Sequence, residues 1–390
     1  MKDGCQIKKL GEVCDIFAGQ GAPQGDDKYC TQGTPFIKAG NLEALTNGES
    51  ESNIQQVSEE VANSYKLVKY KKGSVVFAKS GMSCMKGYIY MLQGDCYVVS
   101  HLAILTPKYV DSSYLKYCLQ FFKPCSLAKE AAFPSITLKE LSSFEIPVPI
   151  PSEQQRIVNL LDAEFSKIDT LKSNVEKNLQ NAKNLFQAAL RKELEPKEGW
   201  EKVSLFNVCS ITSSLVDPRL EEYQKLLHVG GANITSDNGA LINLKTAKEE
   251  ELTSGKYCFD NTMVLYNKIR PYLKKVARPT FNGLCSADMY PLKPNKKITK
   301  DFLYYVLLSD DFTDYAIKGS ARAGMPKVNR EHLFAYECFI PDIHEQCLIT
   351  SCLDTLSEKC LSLQSNYEKT LSLCDDLKRA LLRKAFNGEM

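Results

Sequence analysis

The stretch PIPSEQQRIVNLLDAEFSKIDTLKSNVEKNLQNAKNLFQAALRKEL occupies residues 149–194. A near copy of it, PDIHEQCLITSCLDTLSEKCLSLQSNYEKTLSLCDDLKRALLRKAF, occupies residues 341–386. Glu153 aligns with Glu345, an offset of 345 − 153 = 192 residues, and no gap is needed. Of the 46 aligned positions 18 are identical, too many for two unrelated helices of similar composition. The chain is built on an internal repeat, and a missed repeat misassigns a whole fold.

Both copies read as one long helix. The first starts at Pro151-Ser152-Glu153; in the second, Asp342 follows Pro341 and Glu345 lies three residues on, in capping-box spacing. Apolar residues then recur at alternating steps of three and four. In the first copy they are Ile157, Leu161, Phe165, Ile168, Leu171, Val175, Leu179, Ala182, Phe186 and Ala189. In the second they are Ile349, Leu353, Leu356, Cys360, Leu363, Tyr367, Leu371, Cys374, Leu377 and Leu381. A stripe that narrow is a coiled-coil seam, and two seams in one chain most simply bury each other. Pro196 and Gly199 stop the first helix, and Asn387-Gly388 the second. Roughly 40 residues at 1.5 Å each give a spacer of about 60 Å.

Outward from the helices lie two globular stretches, so the expected boundaries are a head at 1–148, a long helix at 149–197, a second head at 198–340 and a second long helix at 341–390. The first head carries short β-like runs at Thr34–Lys38, Gly73–Ala78, Gly87–Leu92 and Tyr97–Ser100, with a helix over Asp111–Phe122. The second head repeats the plan in a different sequence. Val203–Cys209 answers Ile7–Val13, and Val229–Ile234 answers Ile37–Leu42. Met263–Lys268 answers Val75–Lys79, Asp301–Val306 answers Ser113–Cys118, and Pro326–Leu333 answers Pro134–Leu141. The fold class is mixed α/β (α+β): two divergent heads on a common, pseudo-two-fold helical scaffold.

Composition excludes several classes. Charged residues at 25% and hydrophobic residues at 44% are ordinary for a soluble globular protein. The net charge of +2 forces any nucleic-acid role onto local patches. No apolar run approaches a membrane span, the N-terminus lacks a signal-peptide core, and a cytoplasmic protein is expected. No two of the 15 cysteines are spaced C-x-x-C, and the four histidines are scattered, so no metal site is expected. Cys352, Cys360 and Cys374 read as small reduced core residues. Gly19-Gln-Gly21 lacks the remaining residues of either nucleotide-loop motif and reads as a plain loop. Pro-Pro is absent, which removes the Asn/Asp-Pro-Pro-aromatic motif an adenine methyltransferase needs, and no phosphate loop supports ATP hydrolysis. No catalytic residue and no cofactor are expected.

Four signatures in this order decide the resemblance. They are Ile-Pro-Ser-Glu-Gln-Gln-Arg-Ile at 150–157, Ile-Pro-Asp-Ile-His-Glu-Gln at 340–346, Leu265-Tyr-Asn-Lys-Ile-Arg-Pro-Tyr-Leu-Lys-Lys-Val276, and the terminal Leu382-Arg-Lys-Ala-Phe-Asn-Gly-Glu389. Over essentially its whole length the chain resembles the specificity subunit of type I restriction-modification systems. The resemblance implies a non-catalytic subunit whose two heads are target recognition domains, each reading one half of a split, asymmetric site on double-stranded DNA. It also implies that the two long coiled-coil helices pair antiparallel, fix the half-site spacing and dock methyltransferase (M) subunits, with restriction (R) subunits joining. Their outer faces would carry the docking charges, among them Lys167, Asp169, Lys172, Glu176 and Lys177. Half-sites on one DNA face lie about 34–36 Å apart per helical turn, within reach of heads on such a spacer. A coiled-coil scaffold binding only protein explains the helices and leaves the paired heads unexplained.

Phosphate contacts need Lys and Arg, and base reading favours Arg, Lys, Asn and Gln. The densest basic run in the second head is Lys268, Arg270, Lys274, Lys275 and Arg278, interleaved with Tyr266 and Tyr272. The loop from Lys318 through Arg322 to Lys327, followed by Arg330, is the second candidate. In the first head the matching positions are Lys79 and Lys86, and then the weaker run Lys66–Lys72.

Overall fold

The computed structural model describes residues 5–128, 133–320 and 326–389. The chain forms two compact units. One comprises Met1–Asn174 with Thr370–Met390, and the other Val175–Lys369. Each unit therefore combines a head with part of both long helices, which run over Pro151–Glu193 and Ile343–Asn387, 43 and 45 residues. At 1.5 Å per residue each helix is about 65 Å long.

In the first unit a four-stranded antiparallel sheet runs in the order Cys14–Ala18, Leu102–Pro107, Val75–Ala78, Ile89–Met91. The inner strands are apolar on both faces, and the helix Ser112–Phe121 contributes Tyr114, Leu115 and Leu119 to the same core. A smaller sheet pairs Thr34–Ile37 antiparallel with Gln56–Val57 and parallel with Tyr97–Val98. A two-stranded ribbon, Gln6–Lys9 against Glu145–Val148, carries the chain out of the head and into the long helix.

The second unit rebuilds each part. Its four-stranded sheet runs Cys209–Ser210, Met289–Pro294, Val264–Asn267, Val276–Ala277, and its ribbon pairs Glu201–Ser204 with Glu337–Ile340. The small sheet grows to five strands, Leu215–Val216, Lys256–Phe259, Gly283–Cys285, Leu227–Val229 and Lys245–Thr246. Every matched segment read from the sequence lands on the matched element, and the expansion of the small sheet is where the heads diverge most.

The glutamine of each Glu-Gln pair is the joint between helix and head. Gln154 Nε2 donates to the Pro149 carbonyl at 2.8 Å, and its Oε1 accepts from the Asp111 amide at 2.8 Å. Gln346 Nε2 donates to the Pro341 carbonyl at 2.9 Å and to the Lys297 carbonyl at 2.8 Å, while its Oε1 accepts from the Thr299 amide at 2.8 Å. Asp111 and Thr299 are themselves the N-caps of the head helices Ser112–Phe121 and Lys300–Leu308. One buried amide thus ties the start of the long helix to the start of the head helix, and in both units it does so the same way. About two turns further on, Asp162 accepts the Tyr117 hydroxyl, and Asp354 accepts that of Tyr305.

The seam is apolar, with a shift in register midway. Ile157, Leu161, Ile168, Val175, Ala182, Phe186 and Leu190 are buried, as are Ile349, Leu353, Cys360, Cys374 and Leu382. Leu171, Leu363 and Leu377, expected in the seam, are exposed, and so is Cys352. Lys172, Gln364 and Lys378, each one residue further on, face inward by half. In the first unit Lys172 pairs with Asp375 at 3.1 Å and Asp169 with Lys378, so the helices run antiparallel there. Asp169 and Lys172 therefore belong to the interhelical contact and not to the outer face, where Lys167, Glu176 and Lys177 are exposed.

Candidate nucleic-acid interface

The sheet positions one loop in each head through the same three backbone hydrogen bonds. In the first head the chain leaves the central strand Val75–Ala78 at Lys79. The Lys79 amide donates to the His101 carbonyl at 2.9 Å, its carbonyl accepts from the Ile136 amide at 2.8 Å, and the Gly81 amide donates to the Pro134 carbonyl at 2.9 Å. In the second head the chain leaves Val264–Asn267 at Lys268. The Lys268 amide donates to the Asp288 carbonyl at 3.1 Å, its carbonyl accepts from Val328 at 3.0 Å, and the Arg270 amide donates to the Pro326 carbonyl at 2.9 Å. Lys79 corresponds to Lys268, Ser80 to Ile269, Gly81 to Arg270 and His101 to Asp288.

Position 81/270 has a positive φ in both heads, +75° at Gly81 and +52° at Arg270, although ψ differs, 179° at Gly81 and 65° at Arg270, and only Arg270 is left-handed helical. Glycine adopts that conformation without a steric penalty; a side chain there costs roughly 1–2 kcal/mol. Arg270 bears that cost, is exposed, and has no side-chain partner among the described residues. Lys274, at φ +45°, closes the same short turn, whose Tyr272 is 53% exposed. Backbone strain of this kind concentrates at binding sites.

The basic run separates into an outward-facing and an inward-facing set. Lys268 is buried, with Nζ donating to the Ala287 carbonyl at 2.5 Å and lying 3.9 Å from Asp288. Lys274 pairs with Asp310. Lys275 donates to the Gly231 carbonyl at 2.5 Å. Arg278 donates to Asp301 at 2.7 Å and to Asp354, and stacks 4.6 Å from the Tyr304 ring. Burial alone would depress its pKa; the hydrogen bonds to Asp354 and Asp301 outweigh burial and hold it above the usual arginine value. These four cations shape the head from within.

Arg270 and Lys327 remain exposed on adjoining segments, joined at the isolated Ile269–Lys327 bridge, with Arg330 just beyond. Burial, and then Lys327, push the Lys268 ammonium below its usual value; Asp288 opposes this, and Arg330 adds to the depression. Positive charge therefore converges at this end of the head. Arg322 lies outside the described residues. In the first head Lys79 is half-buried beside Ser80, and Lys86 pairs with Glu43 at 3.0 Å.

Two structural features lie outside the basic runs. One is the Ser80–His101 pair, Oγ to Nδ1 at 2.9 Å, with His101 exposed at the loop. The other is the Gln154/Gln346 joint. The shared 192-residue offset of Gln154 and Gln346 was the available signal for the second.

Residues 2–181, and again 197–372, match the type I restriction modification DNA specificity domain. The chain belongs to that family. Among its relatives, the specificity subunit of the type I restriction enzyme EcoDI of Escherichia coli is 26% identical over 357 residues, covering 82% of this chain and 79% of that one. Two solved structures share the fold at 16% identity. A chain from a study of complex assembly and conformational transition of the type I R-M system superposes with a TM-score of 0.74, covering 100% of this chain and 99% of that one. The HsdS subunit of Thermoanaerobacter tengcongensis gives 0.56, with 100% and 98% covered. Each of the family's two domains in this chain contains one head and one copy of the three-bond loop. Among the described residues no helix is long and apolar enough to cross a membrane.

Proposed function

We propose that this chain is the non-catalytic DNA-recognition subunit of a cytoplasmic type I restriction-modification complex. The heads at 1–148 and 198–340 are target recognition domains, each reading one half of an asymmetric bipartite site. The long helices at 149–197 and 341–390 set the half-site spacing and dock M subunits on their outer faces, with R subunits completing the nuclease. The observation that carries this reading is the duplicated loop frame, which repeats the same three backbone hydrogen bonds beneath two unlike sets of side chains. One set of three backbone hydrogen bonds presenting two different surfaces suits two different half-sites and leaves a purely protein-binding scaffold without a use for its heads.

In this reading Lys79, Lys86, Arg270, Arg322 and Lys327 meet the DNA. Lys268, Lys274, Lys275 and Arg278 hold the second loop in shape and add to its field. Arg270→Ala then weakens DNA binding and reduces the slope of log affinity against log salt by about one, the loss of one phosphate or base-edge cation. Titration of a labelled cognate duplex at several salt concentrations measures this. An unchanged slope and affinity would remove Arg270 from the footprint. Lys275→Ala should lower the stability of the second head as well as its affinity, because its ammonium satisfies the Gly231 carbonyl.

A further inference from the structure

Resting on the DNA-recognition reading above, we propose that the loop after the central strand, together with the residue it hydrogen-bonds across the sheet end, is the base-reading edge of each head. Ser80 with His101 reads in the first head, and Arg270 with Asp288 in the second.

Three backbone hydrogen bonds place residues 80, 81 and 101 of the first head on the same frame as residues 269, 270 and 288 of the second. Matched positions on matched frames approach a duplex in the same way, so a difference in side chains there becomes a difference in the bases preferred. The side chains differ as completely as such positions can. In the first head the middle position is Gly81, which offers no side chain, and Ser80 and His101 carry the polar groups. Ser80 Oγ engages His101 Nδ1 at 2.9 Å, which orients the ring and leaves its Nε2 for an outside partner. In the second head the first position is the half-buried Ile269, and the polar groups pass to Arg270 and Asp288.

A guanidinium pairs with the O6 and N7 edge of guanine in the major groove, and a carboxylate accepts from the N4 amine of cytosine. An imidazole and a hydroxyl supply single donors or acceptors and suit other base edges. The left-handed backbone at Arg270 supports the assignment. The frame tolerates glycine at that position, as Gly81 shows, yet the second head holds an exposed arginine with no internal partner among the described residues. Lys79 and Lys327, adjoining the two edges, are placed for the flanking phosphates.

The test uses the full chain assembled with its methyltransferase subunit, offered a pool of duplex DNA with randomised bases. Bound sequences are recovered for the wild type, for Ser80→Ala combined with His101→Ala, for His101→Gln and for Arg270→Ala. The expected result is a loss of base preference of about ten-fold or more at one or two positions of one half-site for the first two variants. Arg270→Ala should produce a comparable loss in the other half-site. In each variant the intact half-site reports that the protein is folded and assembled. Unchanged preferences in all variants overturn the proposal. So does a uniform weakening across all sequences with base preferences unchanged, which makes these residues phosphate contacts only. A wild-type complex that selects no bipartite motif removes the DNA-recognition reading itself, and the base-reading edge with it.

Discussion

Replacing Gln346 by alanine is expected to destabilise the second unit by about 3–9 kcal/mol, since buried hydrogen-bonding groups left without partners cost about 1–3 kcal/mol each. Gln346 is fully buried and satisfies three such groups, the Thr299 amide and the Pro341 and Lys297 carbonyls. Gln154 satisfies two, so Gln154→Ala should cost less, about 2–6 kcal/mol by the same reckoning, and should act on the first unit. Gln155→Ala, one position on and exposed, should stay within about 0.5 kcal/mol of the parent. Gln346→Glu should not rescue, because a carboxylate can accept from Thr299 but cannot donate to the two carbonyls. Urea denaturation followed by circular dichroism ranks the four variants. Equal, small effects at Gln346 and Gln155 would mean that the Glu-Gln signature is not a structural joint.

Phe386→Ala is expected to cost about 3–5 kcal/mol, the usual penalty for emptying a buried aromatic site. Phe386 sits near the end of the second long helix yet belongs to the core of the first unit. Its ring stacks on Phe121 at 5.6 Å and meets Tyr114 and Phe122 at 5.7 and 5.8 Å. The loss should therefore appear far away in sequence. Hydrogen exchange should accelerate in the helix Ser112–Phe121 and remain slow in Lys300–Leu308 of the other unit. Unchanged protection of Ser112–Phe121 would show that the chain end is not part of that core.

Much of this architecture was legible because the repeat makes the sequence its own alignment. The 192-residue offset pairs the long helices without a gap, and the same offset pairs Pro134 with Pro326, Gln154 with Gln346 and Asp162 with Asp354. Seam details were less legible. Continuing the three-four alternation through Leu171 and Leu363 put leucines where the helices turn Lys172 and Gln364 inward. An apolar residue one position off the seam is indistinguishable by period when the helix drifts between 3.5 and 3.6 residues per turn.

The site was the least legible part. A run such as Lys268–Arg278 reads as one basic patch, but a strand sends neighbours to opposite faces and a turn redirects the rest. Four of its five cations consequently find carbonyls or carboxylates inside the head. Their partners Gly231, Ala287, Asp310 and Asp354 are brought in by other elements, and no local pattern announces them. Ser80 and His101 were invisible for the opposite reason: neither belongs to a basic run, and their meeting depends on a bond across the sheet end.

The central claim is that two unlike heads on a repeated scaffold read two unlike half-sites. Single-molecule sequencing of methylated bases, in cells expressing this chain with its M and R subunits, tests it most directly. The expected result is one bipartite motif with different half-sites and adenine methylated on opposite strands. A complex that assembles and stays soluble yet yields no new methylated motif, or a palindromic one, would contradict it.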